Sequence, residues 1–304
     1  MTATTARPST FRIWLLAIRP ATLPAALSGV VVGLGAALAV GTTFRLDTAL
    51  GCLAVALLLQ ITANLSNDLS DFRKGADTPE RTGPLRVAAA GLVTPRQLEI
   101  AIAIVIGLAG VVGLLLTTVG GPVLLVVGVL AVVAALAYTG GPWAYGYRGL
   151  GEVFVFLFFG FVAVVGTAYL QAGRVEPLFL AAALPVGALT TAILVVNNLR
   201  DIPTDTAAGK RTLAVMLGVR RTRVEYAALL FVAFAVPVGL TAAGRGLAVL
   251  LPLLALPIAS PLLRTVRTFD EPRQLNLVLK GTARLALIYG LLFAAGLAIG
   301  GAIA

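Results

Sequence analysis

Apolar stretches of about 20 residues recur along the whole 304-residue chain. Nine can be counted, and each is long enough to cross a hydrocarbon layer of roughly 30 Å as a helix. Charged residues make up only 12% of the chain, against roughly 25% in an average soluble domain. The predicted spans are 20–41, 48–69, 97–117, 121–139, 151–171, 177–199, 224–243, 246–266 and 281–303. The sequence therefore predicts an all-α membrane protein, with one domain over 1–304 and an N-terminal tail of about 1–18.

The 23 Lys and Arg residues are divided unevenly between the two ends of these spans. Twenty lie in the N-terminal tail and in the loops after even-numbered spans, whereas only Arg45, Arg174 and Arg245 lie in the other loops. Because basic loops stay in the cytoplasm, this split predicts a cytoplasmic N-terminus and cytoplasmic even-to-odd loops. The net charge of +10 thus indicates topology and not nucleic-acid binding.

The side chains available for chemistry are restricted. The chain has one cysteine, Cys52, and no histidine. This composition excludes disulfides within the chain, metal sites built on imidazole, and Ser-His-Asp catalysis. Any catalysis therefore depends on carboxylates, amides, tyrosines, lysines and arginines.

Two short polar segments, which end the second and sixth spans, contain six of the 13 acidic residues. The first reads NLSNDLSDFRKGADTPERTGPLR over 64–86, and the second reads NNLRDIPTDTAAGKRTL over 197–213. One such segment would most simply cap a helix and solvate a loop. Two matched segments favour a shared functional site.

Each segment carries an Asn four residues before an Asp: Asn67 before Asp71, and Asn197 before Asp201. This spacing places both side chains on one helix face, where they can point into a common cavity. Opposed carboxylates in such a cavity would repel one another unless a cation bridged them. Oxygen ligands without sulfur or imidazole favour Mg²⁺, which also binds substrate phosphates. The segments therefore predict a magnesium and diphosphate site.

Basic side chains beside the carboxylates can neutralise phosphate oxygens that the metal does not reach. Together with the metal they would stabilise a departing diphosphate. The candidates are Arg73, Lys74, Arg81, Arg86, Lys210 and Arg211.

The segments NDLSDFRKGAD and DIPTDTAAGKRTL resemble the two aspartate-rich motifs of the UbiA superfamily of membrane prenyltransferases, and the resemblance covers the whole chain. GPLR, YTGGPWAYGYRGLGEVFVFLFFG and RPATLPAALSG are similar to the branch of that superfamily that acts on 1,4-dihydroxy-2-naphthoate. The resemblance implies a bundle of nine transmembrane helices with a central cavity and cytoplasmic cap loops. It departs from many members in the longer gap before Asp77.

The resemblance also implies an activity. A polyprenyl group would pass from its all-trans diphosphate to 1,4-dihydroxy-2-naphthoate with decarboxylation, giving demethylmenaquinone and diphosphate. Two Mg²⁺ ions would bridge the substrate diphosphate. The partners would be polyprenyl diphosphate, the aromatic acceptor and the lipid bilayer, with no nucleic acid. The expected location is the cell inner (cytoplasmic) membrane, with the active-site loops in the cytoplasm.

Individual roles follow from the same resemblance. Asn67, Asp71 and Asp77 would hold one metal ion, with Asp68 as a further ligand or a neighbour, and Asn198, Asp201 and Asp205 would hold the other. The implied catalytic residues are Asp71, Asp201, Lys210 and Arg148, with Lys210 and Arg148 gripping the diphosphate. The implied substrate-binding residues are Arg19, Asn64, Arg73, Arg81, Tyr138, Tyr145, Tyr147, Asn197 and Arg211.

Two patterns within the spans concern shape. Phe154, Phe158 and Phe161 recur at helical spacing and could line a groove for the tail, although lipid-facing packing is the simpler interpretation. Small residues of the first span predict close helix packing at Gly29, Gly33 and Gly35.

Other functions remain open at this stage. A sibling prenyltransferase would act on 4-hydroxybenzoate, homogentisate or a porphyrin. A secondary transporter would also have many helices and acidic residues in a cavity, but its site would lie near the middle of the bilayer. These aspartates are predicted at cytoplasmic helix ends among basic residues, which favours an enzyme.

Overall fold

The computed structural model describes residues 8–75 and 83–303, which are helical and contain no β-strand. The first five helices are α1 Thr10–Ile18, α2 Leu23–Leu38, α3 Leu46–Arg73, α4 Pro95–Gly120 and α5 Val123–Ala137. The others are α6 Gly151–Ala172, α7 Pro177–Ala207, α8 Leu213–Ala242, α9 Leu247–Thr268 and α10 Leu275–Ile303. Two of them are irregular: α6 is π-helical over Phe156–Val162, and α9 begins as a 3₁₀ helix over Leu247–Ala255.

These segments are helical because a membrane span must satisfy its backbone polar groups internally. Local sequence features determine where several helices begin or end. The Thr94 side chain and the Gln97 side chain form a reciprocal capping box at the start of α4. The break between α1 and α2 falls at Arg19, which has a positive φ of 55° and precedes Pro20.

Eight segments of the described chain are long and apolar enough to cross a membrane, counting Thr10–Leu38 as one. The shorter α5 is also apolar and coincides with the predicted fourth span. The predicted all-helical membrane architecture is therefore confirmed, and the count of nine is reached only when α5 is included. The predicted sixth span ended too early, because α7 continues to Ala207 and carries Asp201 and Asp205 of the second acidic segment.

The central helix of the bundle is α7, which packs against α2, α6, α8 and α10. Its side chains Phe179, Val195 and Val196 are fully buried, as expected for a helix that is apolar on all sides. By contrast, α4 and α5 expose apolar side chains such as Leu115 and Val126 on the outside of the bundle. The second acidic segment is thus held by the most enclosed helix.

Close backbone contacts hold the bundle around α7. A Cβ atom added at Gly35 of α2 would lie 2.4 Å from the Cα of Ala294 on α10. One added at Gly160 of α6 would lie 2.8 Å from the Cα of Gly187 on α7. The prediction that glycines of the first span permit close packing is confirmed at Gly35, and at Gly33, where the added atom would lie 2.6 Å from the Val164 carbonyl oxygen.

We expect Gly35→Ala to lower stability by about 1–3 kcal/mol, because the added methyl group meets backbone that cannot move aside. Gly110→Ala is the matched control, since a Cβ there has nothing within 4 Å and alanine favours the helix. Thermal unfolding of the purified proteins in detergent measures the difference. Equal melting temperatures for Gly35→Ala and Gly110→Ala would contradict this account of the packing.

Candidate active site

A cavity of about 420 Å³ extends from the C-terminal ends of α3 and α7 into the apolar interior of the bundle. Its polar end is lined by Asn67, Asp71, Asn197, Asn198, Asp201, Asp205 and Lys210. The remainder is lined by apolar side chains that include Val55, Leu59, Leu116, Val127, Phe158 and Val162. A cavity of this kind suits a molecule with a charged head and an apolar tail.

The two acidic segments meet at the ammonium group of Lys210. Its Nζ lies 3.4 Å from Asp71 Oδ1 and 3.6 Å from Asp205 Oδ1. The Lys210 backbone N–H also donates to the Asp205 carbonyl oxygen at 2.9 Å, which fixes the turn after α7. Carboxylates from α3 and α7 therefore share one cation.

Asp71 is buried and has a second set of partners. Arg86 Nη2 donates to Asp71 Oδ2 at 2.7 Å, and the Tyr147 hydroxyl donates to Asp71 Oδ1. Arg86 is itself buried, so the pair is shielded from water. Sequence analysis had placed Arg86 among the phosphate-facing cations and had not identified it as the partner of Asp71.

Asp201 is held by its own neighbour. Arg200 Nε and Nη2 donate to the two carboxylate oxygens of Asp201 at 2.7 and 2.6 Å, a bidentate arrangement. Arg200 is fully buried and also donates to Asn197 Oδ1 and to Asn276 Oδ1 of α10. The expectation that Arg200 lies in a loop is wrong, because α7 continues past it.

Asp68 lies outside the lining of the cavity. Its two oxygens accept hydrogen bonds from the backbone N–H groups of Val87 and Ala88, both at 3.1 Å. Arg19 Nη2 lies 3.8 Å from Asp68 Oδ2. These contacts tie the chain after residue 83 to α3, so the metal-binding role suggested for Asp68 stays a prediction.

Asn64 joins α3 to the break between α1 and α2. Its Nδ2 donates to the Ile18 carbonyl oxygen at 2.8 Å and to Thr22 Oγ1 at 2.9 Å. Gln60, one helical turn earlier, donates to Asn64 Oδ1 at 3.3 Å and to Thr22 Oγ1 at 3.1 Å. Gln60 and Thr22 line the cavity together with Asn64 and Arg19, and sequence analysis had not identified either of the first two.

Aromatic rings line the cavity below the carboxylates. Tyr138 meets Tyr145 edge to face at 5.4 Å, and Tyr145 stacks on Phe154 at 4.1 Å. Phe158 continues this row, with its ring centroid 6.2 Å from that of Phe154. Phe161 instead packs against the hydrophobic core. Of these three phenylalanines, Phe154 and Phe158 line the cavity, and a role for them in binding the tail stays a prediction.

Two tyrosine hydroxyl groups belong to this row. Burial raises the pKa of Tyr145, whose hydroxyl donates to the Ala134 carbonyl oxygen at 2.9 Å. The rings can therefore present electron-rich faces to a cation without adding charge of their own.

Two ammonium groups lie close to the ring of Tyr147. Lys74 Nζ and Lys210 Nζ lie 4.6 and 4.7 Å from the centroid of its ring. Lys74 also donates to the Thr139 carbonyl oxygen at 2.6 Å. Burial lowers the pKa of Lys74, Asp71 opposes this shift, and Lys210 adds to it.

Three arginines with implied roles lie outside the lining of the main cavity. Arg73 forms an exposed ion pair with Glu99 of α4. Arg148 lies 5.2 Å from the ring of Trp143, and Arg211 donates its backbone N–H to the Tyr147 carbonyl oxygen at 3.0 Å. Two further predicted residues, Asp77 and Arg81, lie outside the described residues.

Glu152 was missed by sequence analysis. It is buried at the start of α6, and its Oε1 accepts a hydrogen bond from Asn198 Nδ2 at 2.8 Å. An ionised carboxylate can only accept hydrogen bonds, so the nitrogen of the Asn198 amide faces Glu152. The oxygen of the same amide is then free to act as a ligand or an acceptor. An acidic residue within an apolar span was the available signal.

The oxygen donors at the polar end fit magnesium. Among the described residues, no group of three or more His, Cys, Asp or Glu side chains is close enough together to hold a metal ion. The cavity instead presents separate carboxylates, together with the amides of Asn67 and Asn198. Mg²⁺ commonly uses one or two carboxylates and completes its shell with water and substrate phosphates. This donor set therefore suits Mg²⁺ bound together with a diphosphate.

Comparison with known proteins identifies the family. The sequence profile of the UbiA prenyltransferase family matches residues 26–288. A protein of Mycobacterium tuberculosis (strain ATCC 25618 / H37Rv) named 1,4-dihydroxy-2-naphthoate octaprenyltransferase is 43% identical over 292 residues, covering 96% of this chain and 99% of that protein. The protein of the same name from Escherichia coli (strain K12) is 39% identical, covering 93% of this chain and 94% of its own length.

A solved structure has the same fold. The UbiA homolog from Archaeoglobus fulgidus bound to DMAPP and Mg²⁺ aligns with a TM-score of 0.60 at 16% identity, covering 92% of this chain and 98% of that one. The family match, the near full-length relatives and the helical bundle agree. This multi-pass membrane protein belongs to the UbiA prenyltransferase family.

Proposed function

We propose that the protein transfers an all-trans polyprenyl group from its diphosphate to 1,4-dihydroxy-2-naphthoate. The ring carbon that carries the carboxylate forms a bond to C1 of the prenyl chain, while diphosphate and carbon dioxide leave. Since the ring keeps its oxidation level, the immediate product is the quinol form of demethylmenaquinone. The names of the relatives that match nearly the full chain support this acceptor.

The observation that carries the proposal is the meeting of two acidic segments at the polar end of an otherwise apolar cavity. Asp71 with Asn67, and Asp201 and Asp205 with Asn198, would hold two Mg²⁺ ions, one on each segment. The bound ions would supply Lewis-acid stabilisation of the departing diphosphate. The homolog solved with DMAPP and Mg²⁺ supports metal-dependent diphosphate binding in this fold.

The protein's own side chains support the same reaction. Lys210 and Arg86 lie beside Asp71, where their charges can bind phosphate oxygens as well as the carboxylate. The Tyr138, Tyr145 and Phe154 rings lie along the path from these groups into the apolar cavity. Their faces would stabilise positive charge at C1, and the apolar walls would exclude water that would otherwise capture it.

The membrane location fits the substrate. Each buried CH₂ group contributes about 0.8 kcal/mol, so a polyprenyl tail stays in the bilayer and the enzyme must act there. The loops at the polar end of the cavity carry most of the basic residues, which supports a cytoplasmic active site in the inner membrane. A soluble acceptor would then reach the site from the cytoplasm.

Purified protein in lipid or detergent, supplied with Mg²⁺, a polyprenyl diphosphate and 1,4-dihydroxy-2-naphthoate, should yield prenylated quinol, diphosphate and carbon dioxide in equal amounts. Mass spectrometry follows the first product. Parallel reactions with 4-hydroxybenzoate and homogentisate test the acceptor. If only one of those rings were prenylated, the proposed acceptor would be wrong, but prenyl transfer would still be the reaction. Absence of diphosphate release with every acceptor would refute prenyl transfer and direct attention to transport.

Replacing either segment's carboxylate should be equally damaging. We expect Asp71→Asn and Asp201→Asn each to reduce turnover by about 100-fold or more, because each change removes a ligand for the diphosphate site. Asp270→Asn is the control, since Asp270 is exposed and lies outside the cavity. Melting temperatures distinguish lost chemistry from lost folding. A folded Asp201→Asn protein with normal turnover would contradict the shared site.

Metal removal gives an independent test. Excess chelator should abolish turnover, and added Mg²⁺ should restore it in proportion to the free ion. Mg²⁺ titrations of initial rate measure the requirement, with Ca²⁺ as a comparison ion that tolerates larger, less regular coordination. Undiminished turnover in excess chelator would show that the reaction proceeds without a divalent ion.

A further inference from the structure

A second cavity of about 530 Å³ shares Tyr147 with the main cavity. It is lined by Lys74 at the end of α3, by Tyr147 and Arg148, and by Gly209, Arg211 and Met216 near the turn between α7 and α8. We call it the basic vestibule. Tyr147 lines both cavities and donates its hydroxyl to Asp71, so this side chain contacts both the vestibule and an acidic residue of the main site.

The local backbone explains why these cations converge. Arg148 precedes Gly149, which has a left-handed φ of 74° and ends the turn over Tyr145–Arg148. Arg211 follows Gly209 and Lys210 in the turn after α7. The Arg211 backbone N–H donates to the Tyr147 carbonyl oxygen at 3.0 Å and joins the two turns. Both arginines therefore reach the same cavity from different parts of the chain.

The lining carries three cations, Lys74, Arg148 and Arg211, and no acidic side chain from the described residues. Within the described part of the chain, none of the three forms an ion pair. Lys74 donates to a backbone carbonyl group, and Arg148 lies against the Trp143 ring. Like charges around one cavity repel one another and attract an anion from solution.

We propose that the basic vestibule is a binding site for a soluble anion, through which the naphthoate carboxylate enters or the diphosphate product leaves. Anion binding follows from the charge and geometry of the vestibule, and the two named anions rest on the proposed function. The residue that the vestibule shares with the main cavity, Tyr147, contacts both Lys210 and Asp71 of the main site. Arg148 and Arg211 would thus act outside the reaction site, where the anion is captured or released.

Equilibrium binding of two probes tests the site directly. Full-length protein in detergent with excess chelator is titrated with inorganic pyrophosphate and, separately, with 1,4-dihydroxy-2-naphthoate. The chelator removes metal-dependent binding at the acidic segments. We expect the double variant Arg148→Gln, Arg211→Gln to weaken binding of at least one probe by about tenfold or more, because a charged hydrogen-bond partner is lost at each position.

The matched control is the double variant Arg264→Gln, Arg267→Gln. It removes the same charge from exposed positions on α9, outside both cavities, and should bind like the unchanged protein. Melting temperatures verify that both double variants are folded. Equal affinities of the unchanged protein and the folded Arg148→Gln, Arg211→Gln variant for both probes would overturn the proposal.

Steady-state kinetics then identify which anion uses the vestibule. A raised KM for the naphthoate in the vestibule variant indicates entry of the acceptor. A raised inhibition constant for pyrophosphate indicates exit of the product. If the unchanged protein transfers no prenyl group but binds pyrophosphate in an arginine-dependent way, the proposed function fails and the anion site stands.

Discussion

The ion pairs of Lys210 with Asp71 and Asp205 are the contacts on which the rest of the site depends. The pair with Asp71 joins two residues 139 positions apart, and together the pairs hold the ends of α3 and α7 at one cavity. Three buried carboxylates at the polar end of the cavity lie beside three largely buried cations. Arg86 pairs with Asp71, Arg200 pairs with Asp201, and Lys210 lies close to both Asp71 and Asp205. Burying each charge has a large desolvation cost, which the pairing offsets.

This balance of charge explains why a metal ion would accompany the substrate. The carboxylates already neutralise the cations, so a diphosphate entering alone would bring uncompensated negative charge into a buried site. A divalent ion arriving with it restores the balance and uses the carboxylates as ligands. The same argument separates the main cavity from the basic vestibule, where the described cations lack acidic partners and an anion can bind without a metal.

Much of the fold was predictable because membrane spans impose length and hydropathy on the sequence. The alternation of basic loops predicts the orientation in the membrane, which stays a prediction. The i, i+4 spacing placed Asn67, Asp71, Asn197 and Asp201 on faces that the structure brings to one cavity. These predictions depend on local periodicity, which a sequence displays directly.

The remaining contacts could not be predicted, since they depend on where a helix ends and how two turns approach each other. Arg200 was assigned to a loop because the hydropathy falls before α7 ends. Glu152 and Asn198 are 46 residues apart and meet only when α6 packs against α7. The resemblance implies that Arg148 grips the diphosphate and that Arg211 binds substrate, yet both line the vestibule, next to the turns at Gly149 and Gly209.

The central claim is that both acidic segments form one diphosphate site, and binding of an unreactive substrate analogue tests it most directly. Geranyl thiodiphosphate with Mn²⁺ replacing Mg²⁺ allows electron paramagnetic resonance to follow metal bound with the analogue, without turnover. The account predicts that folded Asp71→Asn and Asp201→Asn proteins each lose most of the analogue-dependent Mn²⁺ signal. Full retention of that signal in either variant would contradict a shared site and would assign the diphosphate to one segment alone.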